Sequence, residues 1–359
     1  MSLYLERYAW PEVLFPDFMP PQDLELIVVI PCYNEPDIET ALLSLNNCQA
    51  TDNILVILVV NESEVENESI RSQNQRTIAS AKTLNLKYDL KIAYLQLPKK
   101  KAGVGLARKI GMDEAVRIFR HLQKDGIIAC YDADCSCEAN YLSVVKEFFK
   151  GPFECGVVHY EHDLTQNTTT IIDYEIHLRY YIDALRWAGF TNAFQTLGSC
   201  IIVKSKRYEK EGGMNTRKAG EDFYFLHKVI PNGKFGEINS TTVYPSARIS
   251  DRVPFGTGHA VAKNIDAQEY FTYNPLIFVE LKQIIDQLDV VHGQKEISIS
   301  DEVRKHFDLI QFQRNIDRIL QESSDLKDFK RRFFRWFDGL KTLKLVHHLR
   351  DTTYPNVNL

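Results

Sequence analysis

Short apolar runs alternate with helical patterns along the first half of the chain, and this alternation constrains the fold more than any other feature. The runs predict strands at Leu26–Ile30, Ile54–Val60, Ile92–Leu97, Ile127–Tyr131 and Gly156–Tyr160. Helical patterns fall between them, near residues 37–48, 71–87, 103–124 and 138–150. Such β-α alternation predicts an α/β domain with a mostly parallel, Rossmann-like central sheet flanked by helices. Ligands of such sheets bind beyond the carboxyl ends of the strands.

The pattern changes twice along the chain. Residues 1–23 read as an arm rich in aromatic residues and proline, and helical periodicity dominates the C-terminal part. We therefore predict an N-terminal arm (1–23), an α/β domain (24–265) and a helical C-terminal extension (266–359). The basic and aromatic segment 330–336 is compatible with contact to a membrane surface or an anionic partner. Docking of its aromatic side chains on a protein core is the favoured interpretation.

Composition narrows the class of protein. The formal net charge of -5 gives no sign of general nucleic-acid affinity. The seven cysteines are odd in number and lie mostly in apolar runs, which is typical of reduced core residues rather than of a disulfide framework or a zinc site. No segment approaches the roughly 20 apolar residues of a membrane span, and Glu6 and Arg7 interrupt any signal peptide. We expect a cytoplasmic protein, with peripheral attachment to the inner face of a membrane left open.

Two carboxylates follow the strand predicted at Ile127–Tyr131. Asp132 and Asp134 are separated by one residue, so on a strand end their side chains would point the same way. Such a pair can hold a divalent cation against a phosphate. The alternative is an ordinary solvated turn.

Other polar residues end neighbouring strands. Tyr33 offers a flat face for a base, Glu35 can accept hydrogen bonds from ribose hydroxyls, and Asn61 can read a base edge. A glycine-containing turn with several cations, Lys101 among them, precedes the next helix and suits a pyrophosphate. Taken singly, each has a plain structural alternative, such as a helix cap or a solvated face.

A second acidic pair, Glu221-Asp222, opens a helical run after Gly220, and the flexible pair Gly212-Gly213 precedes it. Taken together, the order of these motifs resembles a family 2 glycosyltransferase of the GT-A fold over about residues 24–260. The motifs are Pro31-x-Tyr33-Asn34-Glu35, Asn61-Glu62-Ser63, Gly105-x-x-Arg108-x-x-Gly111, Asp132-x-Asp134, Gly212-Gly213 and Glu221-Asp222. The resemblance implies a nucleotide-binding half (24–135) and an acceptor half (136–265).

The resemblance also implies an inverting transferase that moves a sugar from a nucleoside diphosphate to an acceptor hydroxyl with Mn²⁺ or Mg²⁺. By position, Asp134 matches the direct metal ligand and Asp132 the residue that faces the ribose and the metal. Asp222 matches the catalytic base, with Glu221 beside it. The residues that match the nucleotide-sugar site are Pro31, Tyr33, Glu35, Arg108 and Asn61, the last where many relatives have an aspartate that contacts the base.

The sequence leaves several points open. Arg252, in a later glycine-flanked loop, can bind the diphosphate or an anionic acceptor, and His259 is a candidate for a further metal ligand. The expected partners are a nucleoside diphosphate sugar, with UDP favoured and GDP open, and a carbohydrate or lipid-linked acceptor. We expect no nucleic-acid partner, and the sequence leaves open whether the chain forms an oligomer. The alternatives are a sugar-phosphate nucleotidyltransferase and a non-catalytic partner protein built on the same fold.

Overall fold

The structure is a computed structural model that describes residues 2–162, 169–246, 269–290, 298–307 and 309–359. By internal contacts the chain divides into two compact units. Met1–Gln166 and Thr196–His259 form the α/β unit, and Asn167–Gln195 and Ala260–Leu359 form the helical unit. The predicted boundaries after residues 23 and 265 stay predictions.

One eight-stranded sheet forms the centre of the α/β unit. In chain order its strands are β1 (Leu26–Cys32), β2 (Ile54–Ser63), β3 (Asp89–Leu97), β4 (Ile127–Cys130), β5 (Ser136–Cys137), β6 (Cys155–Tyr160), β7 (Ile201–Lys204) and β8 (Phe235–Tyr244). Their spatial order is β3-β2-β1-β4-β7-β6-β8-β5. Strands β3, β2, β1 and β4 pair in parallel, as do β6 and β8. Strand β7 is antiparallel to both of its neighbours, and β5 is antiparallel to β8.

Helices connect and cover these strands. They are α1 (Leu3–Arg7), α2 (Ile38–Asn46), α3 (Glu68–Thr83), α4 (Val104–His121), α5 (Tyr141–Phe148), α7 (Ser205–Lys210) and α8 (Glu221–Val229). Every residue of β1 is buried, so protein covers both faces of the sheet at its centre. The predicted fold class, an α/β unit with a mostly parallel sheet flanked by helices, is confirmed.

The helical unit is built from α6 (Thr169–Trp187), α9 (Pro275–Asp286), α10 (Asp301–Arg304), α11 (Leu309–Glu322), α12 (Leu326–Trp336) and α13 (Gly339–Thr352). Two short strands, β9 (Phe271–Thr272) and β10 (Val357–Asn358), pair antiparallel. The aromatic residues Phe329, Phe333 and Phe334 of α12 lie in the apolar core of this unit, in agreement with the docking interpretation. In the part of the chain that the structure describes, no helix combines the length and the apolar character needed to cross a membrane.

Candidate active site

Arg108 connects two of the predicted motifs. It lies in the second turn of α4 and is only 1% exposed. Its Nη2 atom donates to Oδ1 of Asp132 at 2.7 Å, and its Nη1 atom lies 3.3 Å from Oε1 of Glu221. A buried guanidinium needs such partners, because an uncompensated charge away from water is costly. The buried cation thus fixes the residue after β4 and the start of α8 relative to each other.

Glycines allow these elements to approach one another. A Cβ atom at Gly105 would meet the carbonyl oxygen of Arg217 at 2.1 Å, and one at Gly198 would meet Nη1 of Arg108 at the same distance. A Cβ atom at Gly111 would lie 2.4 Å from Cγ1 of Val29 in β1. Two glycines of α4 therefore let the helix pack closely on the loop before α8 and on the sheet. Gly198 leaves the space that the Arg108 side chain occupies.

Asp132 and Asp134 lie in a turn rather than on a strand. Strand β4 ends at Cys130, and the backbone N–H of Cys135 donates to the carbonyl oxygen of Asp132 at 3.2 Å. The expected strand-end geometry is therefore replaced by a turn that follows the strand directly. Both aspartates are half-buried, and one oxygen of Asp132 already accepts from Arg108.

The second acidic pair occupies the first turn of α8. Gly220 precedes the helix with a φ of 72°, a left-handed conformation that glycine adopts readily. Burial raises the pKa of Glu221, although the neighbouring Arg108 opposes this shift. Loss of solvation raises the pKa of Asp222 to about 7, and the negative charge of Glu221 adds to the increase. A carboxyl group that titrates near neutrality can exchange a proton with a bound hydroxyl group.

The first predicted nucleotide loop follows β1. Pro31 lies within β1 opposite Val59 of β2. The Tyr33 hydroxyl donates to Oε2 of Glu66 at 3.0 Å, and Oε1 of the fully buried Glu35 accepts from the backbone N–H of Asp37 at 3.0 Å. Glu35 thus holds the backbone of Asp37, the residue that caps the start of α2. Its predicted contact with a ribose stays a prediction.

Asn61 lies near the end of β2 and is 2% exposed. Its Nδ2 atom donates to the carbonyl oxygen of Cys32 at 3.1 Å. This bond uses one of the two Nδ2 hydrogen atoms and orients the side-chain amide, whose Oδ1 is an acceptor. In contrast, Lys101 is exposed in the turn before α4, where its backbone N–H donates to Pro98.

Sequence reasoning missed a buried polar group beside these loops. Nδ2 of Asn74, in α3, donates to Oε2 of the fully buried Glu62 at 2.9 Å, and Oδ1 of Asn74 accepts from the backbone N–H of Asn34 at 2.9 Å. Asn34 has a φ of 48°, which asparagine tolerates better than most residues. Asn74 therefore joins the ends of β1 and β2, but a single asparagine in a polar helix gives no sequence signal.

Two predicted residues, Arg252 and His259, lie outside the described residues. Within the described ranges, three or more His, Cys, Asp or Glu side chains nowhere cluster in a way that could hold a metal ion. A cation at Asp132 and Asp134 would therefore need further ligands from elsewhere, as Mg²⁺ commonly takes from phosphates and water.

Comparison with known proteins gives a family match. The sequence profile described as glycosyl transferase family 2 matches residues 27–208, just over half of the 359 residues. This range contains the motifs from Pro31 to Asp134 and ends before Glu221. No curated protein sequence matches the chain significantly.

Several solved structures are similar at low sequence identity. TarS 1-349 of S. aureus is 12% identical, with 87% of this chain and 90% of that chain covered and a TM-score of 0.45. The mannosyltransferase PcManGT from Pyrobaculum calidifontis, in complex with GDP-Man and Mn²⁺, is 14% identical, with 94% and 90% covered and a TM-score of 0.43. Glucosyl-3-phosphoglycerate synthase from Mycobacterium tuberculosis, in complex with Mn²⁺, UDP and phosphoglyceric acid, is 14% identical, with 70% and 83% covered and a TM-score of 0.42.

Proposed function

Because the chain belongs to glycosyl transferase family 2, we propose that it moves a sugar from a nucleoside diphosphate to an acceptor hydroxyl with inversion at the anomeric carbon. The observation that carries this proposal is the ion-pair chain Asp132–Arg108–Glu221. It links the turn that follows β4, on the proposed nucleotide side, to the helix that begins with Glu221 and Asp222. A donor and an acceptor bound on the two sides would therefore be held in a fixed geometry.

Asp222 is proposed as the general base. With a pKa of about 7, its carboxylate can take the proton of the acceptor hydroxyl as that oxygen bonds to the anomeric carbon. The bond from this carbon to the diphosphate breaks on the opposite side, and the nucleoside diphosphate leaves with the electron pair. One displacement inverts the configuration, so no covalent bond to the enzyme is needed.

The proposed donor site comprises the residues around the ends of β1, β2 and β4. Tyr33 would stack on the base, Glu35 would bind the ribose, and Asn61 would accept from the base. Asp132 and Asp134 would hold Mn²⁺ or Mg²⁺, whose charge neutralises the leaving diphosphate. These residues fit such an ion because they are two half-buried carboxylates in one turn. Oxygen atoms of the diphosphate would have to complete the set of ligands. Lys101 and Arg252 are proposed to contact the diphosphate, and His259 to supply a further metal ligand.

The decisive variant is Asp222→Asn. We expect it to bind the donor as the wild type does and to lose turnover by about 10²–10⁴-fold, the usual contribution of a general base. Donor binding is measured by thermal shift with UDP-, GDP- and dTDP-sugars, with and without Mn²⁺, because a ligand of the native state raises apparent stability. Turnover is measured as metal-dependent release of nucleoside diphosphate, with water as the acceptor.

Asp301→Asn is the matched control, because Asp301 also lies in the first turn of a helix but its side chain is 83% exposed. It should leave both readouts unchanged. Normal turnover of Asp222→Asn would remove Asp222 from the role of base. A chain that binds donor sugars but never releases the diphosphate would be a non-catalytic partner protein instead.

A further inference from the structure

Two cysteines that lie far apart in the sequence meet beside the proposed metal site. Cys48 follows the end of α2, and Cys137 is in β5, three residues after Asp134. Their sulfur atoms are 3.7 Å apart, and both cysteines are free thiols. Cys48 is buried, whereas Cys137 is partly exposed.

Hydrogen bonds already hold the two segments together. The backbone N–H of Cys137 donates to Oγ of Ser44 at 2.8 Å, and the backbone N–H of Gln49 donates to the carbonyl oxygen of Ala139 at 2.7 Å. A disulfide bond is about 2.05 Å long. The sulfur atoms therefore need to approach each other by only about 1.7 Å, a movement that side-chain rotation and a small backbone shift can supply.

We propose that Cys48 and Cys137 are a site of reversible oxidation, at which a peroxide converts the two thiols into a disulfide. In the first step a Cys137 thiolate attacks the peroxide, which gives a sulfenic acid and releases hydroxide when the oxidant is hydrogen peroxide. In the second step the Cys48 sulfur attacks that sulfenic acid and water leaves. The sum is two thiols and one hydrogen peroxide giving one disulfide and two water molecules.

The two sulfur atoms have different environments, which assigns their order of reaction. The Cys48 sulfur lies 3.5 Å from the carbonyl oxygen of Ser44 and 3.6 Å from that of Glu138, so its S–H can donate to backbone acceptors and keep its proton. The hydrogen bond between the two sulfur atoms lowers the pKa of Cys137. The thiolate is the reactive form of cysteine. Because Cys137 is also the more exposed of the two, it meets the oxidant first, and Cys48 resolves the sulfenic acid.

Because the pair lies beside the proposed metal site, its oxidation should affect turnover, an expectation that rests on the proposed function. Cys137 ends the short segment that begins with Asp132 and Asp134, so a sulfur shift of about 1.7 Å draws this segment toward the end of α2. A misplacement of about 1 Å in a catalytic site can cost up to about 10²-fold in rate. We therefore expect the disulfide form to turn over the donor sugar more slowly than the reduced form, and a thiol reductant to restore the rate.

The test treats the full-length protein with hydrogen peroxide and maps its cysteines by mass spectrometry after differential alkylation. The expected product carries one Cys48–Cys137 disulfide that dithiothreitol reverses, while the buried cysteines Cys130, Cys155 and Cys200 stay thiols. Cys48→Ser should instead accumulate a sulfenic acid at Cys137 that dimedone traps. Cys137→Ser should give neither product at Cys48. Cys155→Ser, which keeps the pair intact, should form the disulfide as the wild type does.

The proposed oxidation site is wrong if both thiols persist after treatment, or if either cysteine pairs with a different one. A disulfide that leaves the rate of diphosphate release unchanged overturns its effect on turnover. Because the cysteine map does not depend on activity, an inactive reduced protein would count against the proposed function and not against the disulfide.

Discussion

At the scale of single residues, the raised pKa of Asp222 predicts how activity depends on pH. A general base must be deprotonated, so turnover should rise as the pH passes through about 7 and level off above it. Because the Glu221 charge contributes to the shift, Glu221→Gln should move the midpoint to lower pH. The measurement is the rate of diphosphate release between about pH 5.5 and 9 in both proteins. An identical midpoint in the two profiles contradicts the coupling of Glu221 to Asp222.

Gly198 is predicted to be intolerant of any side chain. A Cβ atom there would stand 2.1 Å from Nη1 of the buried Arg108, so the guanidinium has to move away from Glu221 and Asp132. Gly198→Ala should destabilise the fold by about 1–3 kcal/mol, the usual cost of overpacking, and should lower turnover as well. Urea unfolding measures the first effect. Gly151→Ala is the control, because its Cβ atom would meet nothing closer than 3.3 Å.

The fixed amide of Asn61 predicts which bases the donor carries. One Nδ2 hydrogen is bonded to the carbonyl oxygen of Cys32, and we expect the acceptor Oδ1 to meet the base, where it suits a ring N–H such as that of uracil, thymine or guanine. Cytosine and adenine have an acceptor nitrogen at that ring position. Thermal shift should therefore detect UDP-, dTDP- or GDP-sugars and not CDP- or ADP-sugars. Equal stabilisation by a CDP-sugar would exclude a contact in which Asn61 Oδ1 accepts from a ring N–H of the base.

The sequence named the candidate residues of this region but not the ion pairs that join them. The motif order identified Arg108, Asp132 and Glu221 as three separate candidates. Their joining by ion pairs depends on the close packing at Gly105 and Gly198, which places groups distant in sequence within contact. The meeting of Cys48 with Cys137 is hidden for the same reason, since residue type and spacing do not encode a distance across the fold.

At the scale of elements, the first residues of the chain are predicted to stabilise α4. Oη of Tyr4, in α1, donates to Oδ1 of Asp113 at 2.5 Å and accepts from Nζ of Lys109 at 2.9 Å. Lys109 also pairs with Asp113 at 2.9 Å, so a buried charge pair depends on this hydroxyl group. Tyr4→Phe should lower the free energy of unfolding by roughly 1–3 kcal/mol, since it leaves buried polar groups with fewer partners.

Urea unfolding checks this expectation, with Tyr8→Phe as the control because Tyr8 is 59% exposed. A loss in Tyr8→Phe equal to that in Tyr4→Phe would argue against a specific role of the buried hydroxyl. The sequence described this region only as an arm, and α1 has only five residues, too short for a periodic pattern to reveal.

The sequence predicted the strands whose own residues form a clear apolar pattern, and it missed strands that lack such a pattern. All residues of β1 are buried, and a continuous apolar run reports such a strand directly. In contrast, β8 exposes Asn239 and Ser240 in its middle and shifts register against β6 between Val158 and His159. Its sequence therefore lacks a regular alternation. The antiparallel direction of β7 is likewise set by its two neighbours and not by its own residues.

At the scale of the whole molecule, the class of fold was predictable but the grouping of segments was not. Alternating strands and helices specify an α/β sheet from local patterns alone. The segment Asn167–Gln195 interrupts the α/β unit in sequence and groups with the C-terminal helices. Its apolar residues Ile182, Leu185 and Phe190 share a buried core with residues that begin at Tyr273, far later in the chain, a pairing that no local pattern encodes.

Separate cores predict separate responses to core mutations. Phe333 is fully buried in the helical unit and Phe119 is fully buried in the α/β unit. Truncation of a buried phenylalanine to alanine usually costs about 3–5 kcal/mol. Chains with more than one domain often unfold in more than one transition.

We expect Phe333→Ala and Phe119→Ala to lower different transitions in calorimetry. A UDP-sugar with Mn²⁺ should raise only the transition that Phe119→Ala lowers, because the proposed donor residues lie in the α/β unit. A single transition lowered equally by both substitutions would mean that the two units unfold as one.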